Sequence, residues 1–289
     1  MSFGPNPWQQ TSWDWRAAGN FIGGGAGGGL IVFAALSGAR GLELTALLLG
    51  GLALVGMGLL CVWLEIGRPL RALHVFFNPH TSWMTREAFV AALLMATVLA
   101  TLLAAVLGAA AGPGGLLWLA ALLALAFIYC QARIVQAAKG IPTWREPWVV
   151  PLLVVTGLAE GAGLWLLVMP AQAARQPLLL ALVAALVLGR VLTWQVYRRR
   201  LVPCAAPRAL AALDASGRWL QNAGSWLPLP WLVVAASGYG EGDLPAALLA
   251  VCGLLIAATG GWFKFSLITR AAFNQGFALA HLPVRGVRR

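Results

Sequence analysis

Leu44 to Leu64 reads Leu-Thr-Ala-Leu-Leu-Leu-Gly-Gly-Leu-Ala-Leu-Val-Gly-Met-Gly-Leu-Leu-Cys-Val-Trp-Leu, and the chain runs straight on into Glu65 to Glu87. That second stretch reads Glu-Ile-Gly-Arg-Pro-Leu-Arg-Ala-Leu-His-Val-Phe-Phe-Asn-Pro-His-Thr-Ser-Trp-Met-Thr-Arg-Glu. The first stretch carries no charge and is long enough to cross a hydrocarbon core, which takes about 20 predominantly apolar residues. The second packs two carboxylates, three arginines, two of the three histidines and a tryptophan into a chain in which only 10% of residues are charged. Pro69 and Pro79 prevent one continuous helix through it, and apolar residues resume at Ala88. A span that delivers the chain to a polar loop, and another that leaves it, decides the fold class. The loop, dense in proton-exchanging and anion-holding groups, is where function is expected.

The rest of the chain repeats the pattern. With 60% hydrophobic residues and a mean hydropathy of +0.81, no water-solvated surface can be built, since a soluble domain carries roughly 25% charged residues. Eight apolar runs are expected to cross the membrane, at about 17–37, 44–64, 88–110, 116–138, 149–169, 177–197, 219–238 and 244–263. The expectation is therefore an all-α integral membrane protein, one transmembrane domain over residues 1–289 with eight helices. Pro228 and Pro230 interrupt the seventh run, and Pro207 to Arg218 reads as an amphipathic stretch at the interface. The N-terminus has no cleavable-signal pattern; Trp8, Trp13 and Trp15 read as an interfacial aromatic anchor. No internal repeat is visible, which weakens an inverted-repeat transporter reading.

Formal charge is +11, and its distribution gives the topology. Eighteen of the 20 Lys and Arg residues fall on the side of the two termini and of the loops after runs 2, 4 and 6. By the positive-inside rule that side, including Glu65 to Glu87, faces the cytoplasm. The chain is expected in a bacterial inner membrane, with lipid around it and soluble partners on the cytoplasmic face. The charge excess is a topology signal, and nucleic acid drops out as a partner.

Cys61, Cys130, Cys204 and Cys252 are far apart and match no disulfide, zinc or iron–sulfur spacing. His74, His80 and His281 lie in loop and tail, so axial haem ligands at matched depth on two helices are missing. Redox chemistry in this chain would have to use a diffusible organic carrier and a partner protein. A quinone head group needs an apolar slot, one or two hydrogen-bond donors and a titratable group in contact with water. Glu65, at the end of the second run and between desolvation and nearby arginines, is a candidate proton exchanger. His74 is a candidate relay, and Tyr129 and Asn20 are candidate carbonyl contacts. Arg68, Arg71 and Arg86 read as holding a carboxylate or a partner, or only as topology signals.

Gly-Gly-Gly-Ala-Gly-Gly-Gly, Gly23 to Gly29, allows close approach of a neighbouring backbone or of a flat ligand. Glu160 lies about 11 residues into its run, roughly 16 Å deep at 1.5 Å per residue. It reads as a structural ion pair, with Arg133 or Arg190 as partner, or as part of a proton path.

Glu65 to Ala72, followed by Asn78-Pro79-His80-Thr81-Ser82-Trp83 and Arg86-Glu87, resembles the loop between helices 2 and 3 of the membrane anchors of dimethyl sulfoxide reductase-like molybdoenzymes, the DmsC and NrfD type. Arg133 with Ile141-Pro142-Thr143-Trp144, and Arg270 with Phe273 and Gly276, are similar to further stretches of that family. The resemblance implies eight helices, no haem or iron–sulfur cluster in this chain, and a bound quinone, menaquinone or ubiquinone. It also implies an iron–sulfur partner wired to a molybdopterin catalytic subunit that carries the molybdenum cofactor. Trp83, Trp144, Arg71, Arg86, Arg133 and Arg270 would then dock a partner or orient the site. Glu65 stands where the dimethyl sulfoxide reductase anchor has a histidine implicated in quinol binding. Trp13 to Asn20 looks most like the anchor of phenylacetyl-CoA:acceptor oxidoreductase, with the sulfite dehydrogenase anchor second, which implies substrate oxidation with quinone reduction. Two rivals stand beside this reading: a proton-coupled transporter working through Glu160, and a purely structural anchor.

Overall fold

A computed structural model describes residues 3–66, 69–107, 114–238 and 243–277 of the chain. Its helices are α1 (Trp15–Leu36), α2 (Gly41–Glu65), α3 (Trp83–Val106), α4 (Gly114–Ala137), α5 (Pro142–Arg145), α6 (Val149–Val168), α7 (Pro170–Ala174), α8 (Pro177–Leu201), α9 (Pro207–Gln221), α10 (Pro228–Ala236) and α11 (Asp243–Thr269). A 3₁₀ stretch, Pro69–Phe77, links α2 to α3. Among the described residues, seven helical stretches are long and apolar enough to cross a membrane: α1, α2, α3, α4, α6, α8 and Ala246–Arg270, which covers most of α11.

Two boundaries differ from the sequence expectation in ways that matter. α3 starts at Trp83 rather than near residue 88, because the Ser82 side chain caps it by accepting from the Thr85 backbone N–H. Arg86 and Glu87 therefore sit in its first turn instead of in a loop. α11 continues to Thr269, and Lys264, read from sequence as the residue after the span, lies inside the helix and is buried.

The eighth expected span, 219–238, is the third difference. It is shared among the end of α9, a widened turn at Asn222–Trp226 and the nine-residue α10. The Leu227 N–H reaches back five residues to the Asn222 carbonyl at 3.0 Å, a π-type bulge. Pro228 explains the break: it has no N–H for the Gly224 carbonyl four residues earlier. Neither piece is long enough to span alone, since nine residues cover about 13 Å at 1.5 Å each.

α1 is the axis of the bundle, packed against α2, α4, α6 and α11 with most of its residues buried. Its glycines make this possible. A Cβ at Gly23 would come within 2.6 Å of the Leu54 carbonyl, and one at Gly27 equally close to that of Gly51, both on α2. Gly29 faces Gly161 of α6 in backbone contact.

At one end of the bundle the N-terminal segment is folded onto the C-terminal one. Gly4 N–H donates to Gln275 O at 2.6 Å, Gln10 N–H to Ala272 O at 2.9 Å, and Asn274 N–H to Trp8 O at 3.0 Å. Trp13 stacks on Trp144 at 4.7 Å, so it is a packing residue rather than part of a lipid anchor. Trp8 and Trp15 remain exposed.

Candidate functional site

The first turn of α3 and the last turns of α4 bring four of the expected residues together. Arg86 and Arg133 both lie against the Trp83 ring, at 4.3 and 4.5 Å from its centroid. The Tyr129 ring meets Trp83 edge-on at 5.8 Å, and Arg133 Nη1 donates to the Tyr129 hydroxyl at 2.9 Å. Arg86 is fixed by donating from Nε to Pro79 O (2.9 Å) and from Nη2 to His80 O (2.7 Å). Arg133 Nε is buried without an acceptor. The cluster is thus cationic and rigid, and Tyr129 is exposed.

Directly behind it, Glu87 points into the bundle and is buried. Its neighbours are Asn20 of α1, whose Nδ2 stands 3.5 Å from Oε1, and Gln131 of α4. Gln131 Nε2 also donates to the Asn20 carbonyl at 3.1 Å, while Asn20 Oδ1 is buried without a partner. Gly24 leaves room for the Gln131 amide, which a Cβ there would strike. The result is a buried carboxylate one turn below the helix start whose hydrogen-bonding neighbours among the described residues are the neutral amides of Asn20 and Gln131.

Further in, Gln131, Lys264, Gly25, Phe21, Ile128, Ala132 and Leu153 enclose a cavity of about 10 Å3, room for about one water. On its far side Lys264 Nζ donates to Glu160 Oε2 at 2.6 Å and to the Phe21 carbonyl at 3.0 Å. Lys264 and Glu160 are only 2% and 1% exposed. Gly25 is required here, because a Cβ would collide with Lys264 Nζ. Glu160 Oε1 has no hydrogen-bond partner.

Lys264 corrects the sequence expectation that Arg133 or Arg190 would pair with Glu160. Arg133 is engaged at the rim. Arg190 is engaged by the broken helix: its Nη2 donates to the Gly224 carbonyl freed by Pro228 and to Ser225 Oγ (3.1 Å), and its Nη1 to Ile256 O (3.1 Å). The two Nη groups of the buried guanidinium thus serve the helix break, while its Nε has no acceptor and Glu160 is close enough to add charge attraction.

The remaining expected residues have other neighbours. Glu65 ends α2 within electrostatic reach of the Asp14–Arg16 pair, whose Arg16 Nη1 donates to the Leu64 carbonyl at 2.9 Å. His74 meets Phe77 edge-on at 5.5 Å in the 3₁₀ stretch. Of the residues expected to share one site, Tyr129 lies in the Trp83 cluster, Asn20 beside Glu87, and Glu65 near Asp14 and Arg16. Trp144 donates from Nε1 to Leu267 O at 2.9 Å and so pins α5 to α11. Arg270 lies over Trp262 at 4.6 Å. Arg68 lies outside the described residues, as does the Arg71 side chain.

The residues of these buried polar clusters that the sequence reading did not single out are Glu87, Gln131 and Lys264. Glu87 was quoted as loop; the N-cap potential of Ser82 was the signal that it belonged to a helix. For Lys264 the signal was the apolar run continuing past it through Phe265 and Leu267-Ile268.

Comparison with protein families finds one match: the family described as DMSO reductase anchor subunit (DmsC), over residues 18–211. Comparison with curated proteins gives no match.

Proposed function

Because this chain belongs to the DmsC family of DMSO reductase anchor subunits, and is thereby a multi-pass membrane anchor of a DMSO reductase-like complex, we propose that it exchanges electrons between the membrane quinone pool and an iron–sulfur partner. The partner connects it to a molybdopterin catalytic subunit. A quinone, menaquinone or ubiquinone, takes up or releases two electrons and two protons, and the chain supplies the binding and proton sides of that exchange.

The observation that carries the reading is Glu87: a buried carboxylate beside neutral amides, next in sequence to Arg86 of the cluster that holds the exposed Tyr129 and Arg133. Arg133, with its unengaged Nε, and Tyr129 hold and orient a carbonyl oxygen at the rim. Asn20, with an unpaired Oδ1, accepts from a quinol hydroxyl inside. Glu87 holds or delivers the proton at the carboxylate. Glu65 and His74, nearer the surface, are relays to water in this reading. The orphaned polar atoms Arg133 Nε and Asn20 Oδ1 fit a small ligand with both donors and acceptors.

The excess of Arg and Lys at this end of the bundle supports a cytoplasmic orientation of both termini, with partner subunits on the same face, in a bacterial inner membrane. In that arrangement the broken helix Pro207 to Ala236 completes an eighth crossing, held by Arg190. Substrate oxidation with quinone reduction is the direction proposed. The closed Glu160–Lys264 pair supports an anchoring role for the core rather than a transport path.

The test is to isolate the complex in mild detergent, assay molybdenum and iron, and measure quinone-linked turnover of Glu87→Gln and Tyr129→Phe. Co-isolation of metal-bearing subunits, with slower turnover in Glu87→Gln, is the expected result. Unchanged turnover in both variants would leave a structural anchor, and isolation of the chain alone and metal-free would remove the redox reading.

A further inference from the structure

A second polar cavity, away from the Trp83–Glu87 region, opens between the end of α8 and α9. Its volume is about 390 Å3, and it is lined by Trp194, Gln195, Arg198, Arg199, Asp214, Arg218 and Gln221. Arg198 closes one side by clamping α9: its Nε and Nη2 donate to Asp214 Oδ1 and Oδ2 at 2.5 and 2.7 Å. That interaction uses the one carboxylate of the lining. Arg199 and Arg218 are left with no ion-pair partner among the described residues. The floor is firm, because Trp194 is buried and Gly217 of α9 lies against its ring with no room for a Cβ. The cleft is therefore preformed, with two unpaired guanidiniums and two side-chain amides around it.

What the cleft would hold follows from its surroundings. Gln195 and Arg199 continue downward on α8 into Leu192 and Leu188, the positions 188, 192, 195 and 199 falling on one helix face. Leu192 and Leu188 are 53% and 43% exposed, on a membrane-spanning helix. Trp219, beside Arg218 and 62% exposed, marks the headgroup zone that indole rings prefer. A pair of cations at headgroup depth, above an apolar stripe, matches a molecule with an anionic head and a hydrocarbon tail.

We propose that this cleft binds an anionic phospholipid, its phosphate held by Arg199 and Arg218 and an acyl chain lying along Leu192 and Leu188. Basic pockets at the membrane surface between helices suit such headgroups, and guanidinium groups match phosphate geometry. The lipid would brace α9 on α8 beside the helix break that Arg190 supports, complementing the Arg198–Asp214 clamp.

The experiment is lipid analysis of the complex isolated in mild detergent, with phosphatidylglycerol as the probe for rebinding after delipidation. The parent is expected to retain anionic phospholipid and to gain thermal stability from phosphatidylglycerol but not from phosphatidylcholine. Arg199→Gln/Arg218→Gln, which leaves the Arg198–Asp214 clamp intact, should weaken rebinding on the order of tenfold. Arg40→Gln, outside the cleft, should not. A helix content equal to the parent's shows that the double variant is folded; if it is not, the single variants carry the measurement. Equal retention in parent and variants overturns the proposal. So does equal stabilisation by inorganic phosphate, which would make the cleft a free-anion site, or a lipid-free cleft covered by a partner subunit in the complex.

Discussion

The two charged clusters of the bundle solve the same problem in opposite ways. At the core, Glu160 and Lys264 are closed on one another, 2.6 Å apart and almost fully buried, with glycines of α1 and α11 carved back to admit them. At the rim, Arg86 and Arg133 have no carboxylate at all among the described residues and lie instead on Trp83. The difference is the solvent. In the interior an uncompensated charge is costly, so Glu160 is paired with Lys264 and the buried Arg190 is held by backbone carbonyls and the Ser225 hydroxyl. Near the surface water and headgroups share the charge, aromatic faces suffice to position it, and the cations stay available to a ligand. Glu87 lies between these regimes, buried like the core but lined by amides rather than a cation, which is the arrangement expected of a group that must change its charge.

The largest effect expected is on the core pair. Lys264→Met leaves Glu160 buried without its cation and should cost about 3–5 kcal/mol of stability, read as a lower unfolding temperature in detergent. Glu160→Gln/Lys264→Met removes both charges and should recover most of that loss. If the double variant is no more stable than the single one, the loss in Lys264→Met does not come from a stranded Glu160 charge.

Next comes the intermediate case. Glu87→Gln keeps the amide contacts but removes the exchangeable proton. Loss of a general acid–base group typically lowers rate by about 10²-fold or more, and quinone-linked turnover of the complex should fall by about that factor with little change in unfolding temperature. A comparable fall in stability would place Glu87 with the core residues instead.

A smaller effect tests whether the glycines serve packing. Gly161→Ala would drive a methyl group into the Gly29 backbone of α1, which has no rotamer to move. Overpacking of this kind costs about 1–3 kcal/mol. Gly56→Ala, with nothing within 4 Å of the added carbon, should be neutral or slightly stabilising. Equal effects at the two positions would mean that α1 and α6 can separate freely.

How much of this could be read in advance depended on range along the chain. Apolar length marks a span locally, so α2, α4, α6 and α8 were legible to within a few residues. Glu160 was equally visible, as an acid inside an apolar run. Its partner was not, because Lys264 lies 104 residues away and looked like the basic flank that ends a span. The proline break before α10 was visible too, but not that Arg190 would supply the missing donor to Gly224. At the rim, Trp83, Arg86, Tyr129 and Arg133 were each singled out from sequence, yet their assembly rests on the pairing of α3 with α4. Glu65 was singled out from sequence and Glu87 was not, although Glu87 is the one buried among the amides of Asn20 and Gln131. Both are carboxylates flanking the same loop, and only the direction in which the side chain enters the bundle separates them.

The smallest effect extends the comparison to a second ion pair, one exposed to water. Asp14 caps α1 by accepting from the Arg16 N–H at 2.8 Å, and its carboxylate pairs with the Arg16 guanidinium at 2.8 Å. The hydrogen bonds from the Arg16 guanidinium, and after them the one from its backbone N–H, hold the Asp14 carboxyl below its ordinary range. With the folded-state pKa depressed, the stability it contributes is present above the unfolded carboxylate pKa, about 4, and fades as pH falls through the lower folded value. Asp14→Ala should cost about 0.5–1 kcal/mol near neutral pH, mostly from the lost cap. Asp14→Asn keeps a capping oxygen and should cost less, and its deficit against the parent should shrink as pH is lowered below about 4. A deficit that instead grew on acidification would reverse the sign of the linkage and remove the ionised carboxylate from the account. The contrast with Glu160–Lys264 is then one of solvent: breaking a pair exposed to water leaves the remaining charge hydrated and costs far less than breaking one in the core.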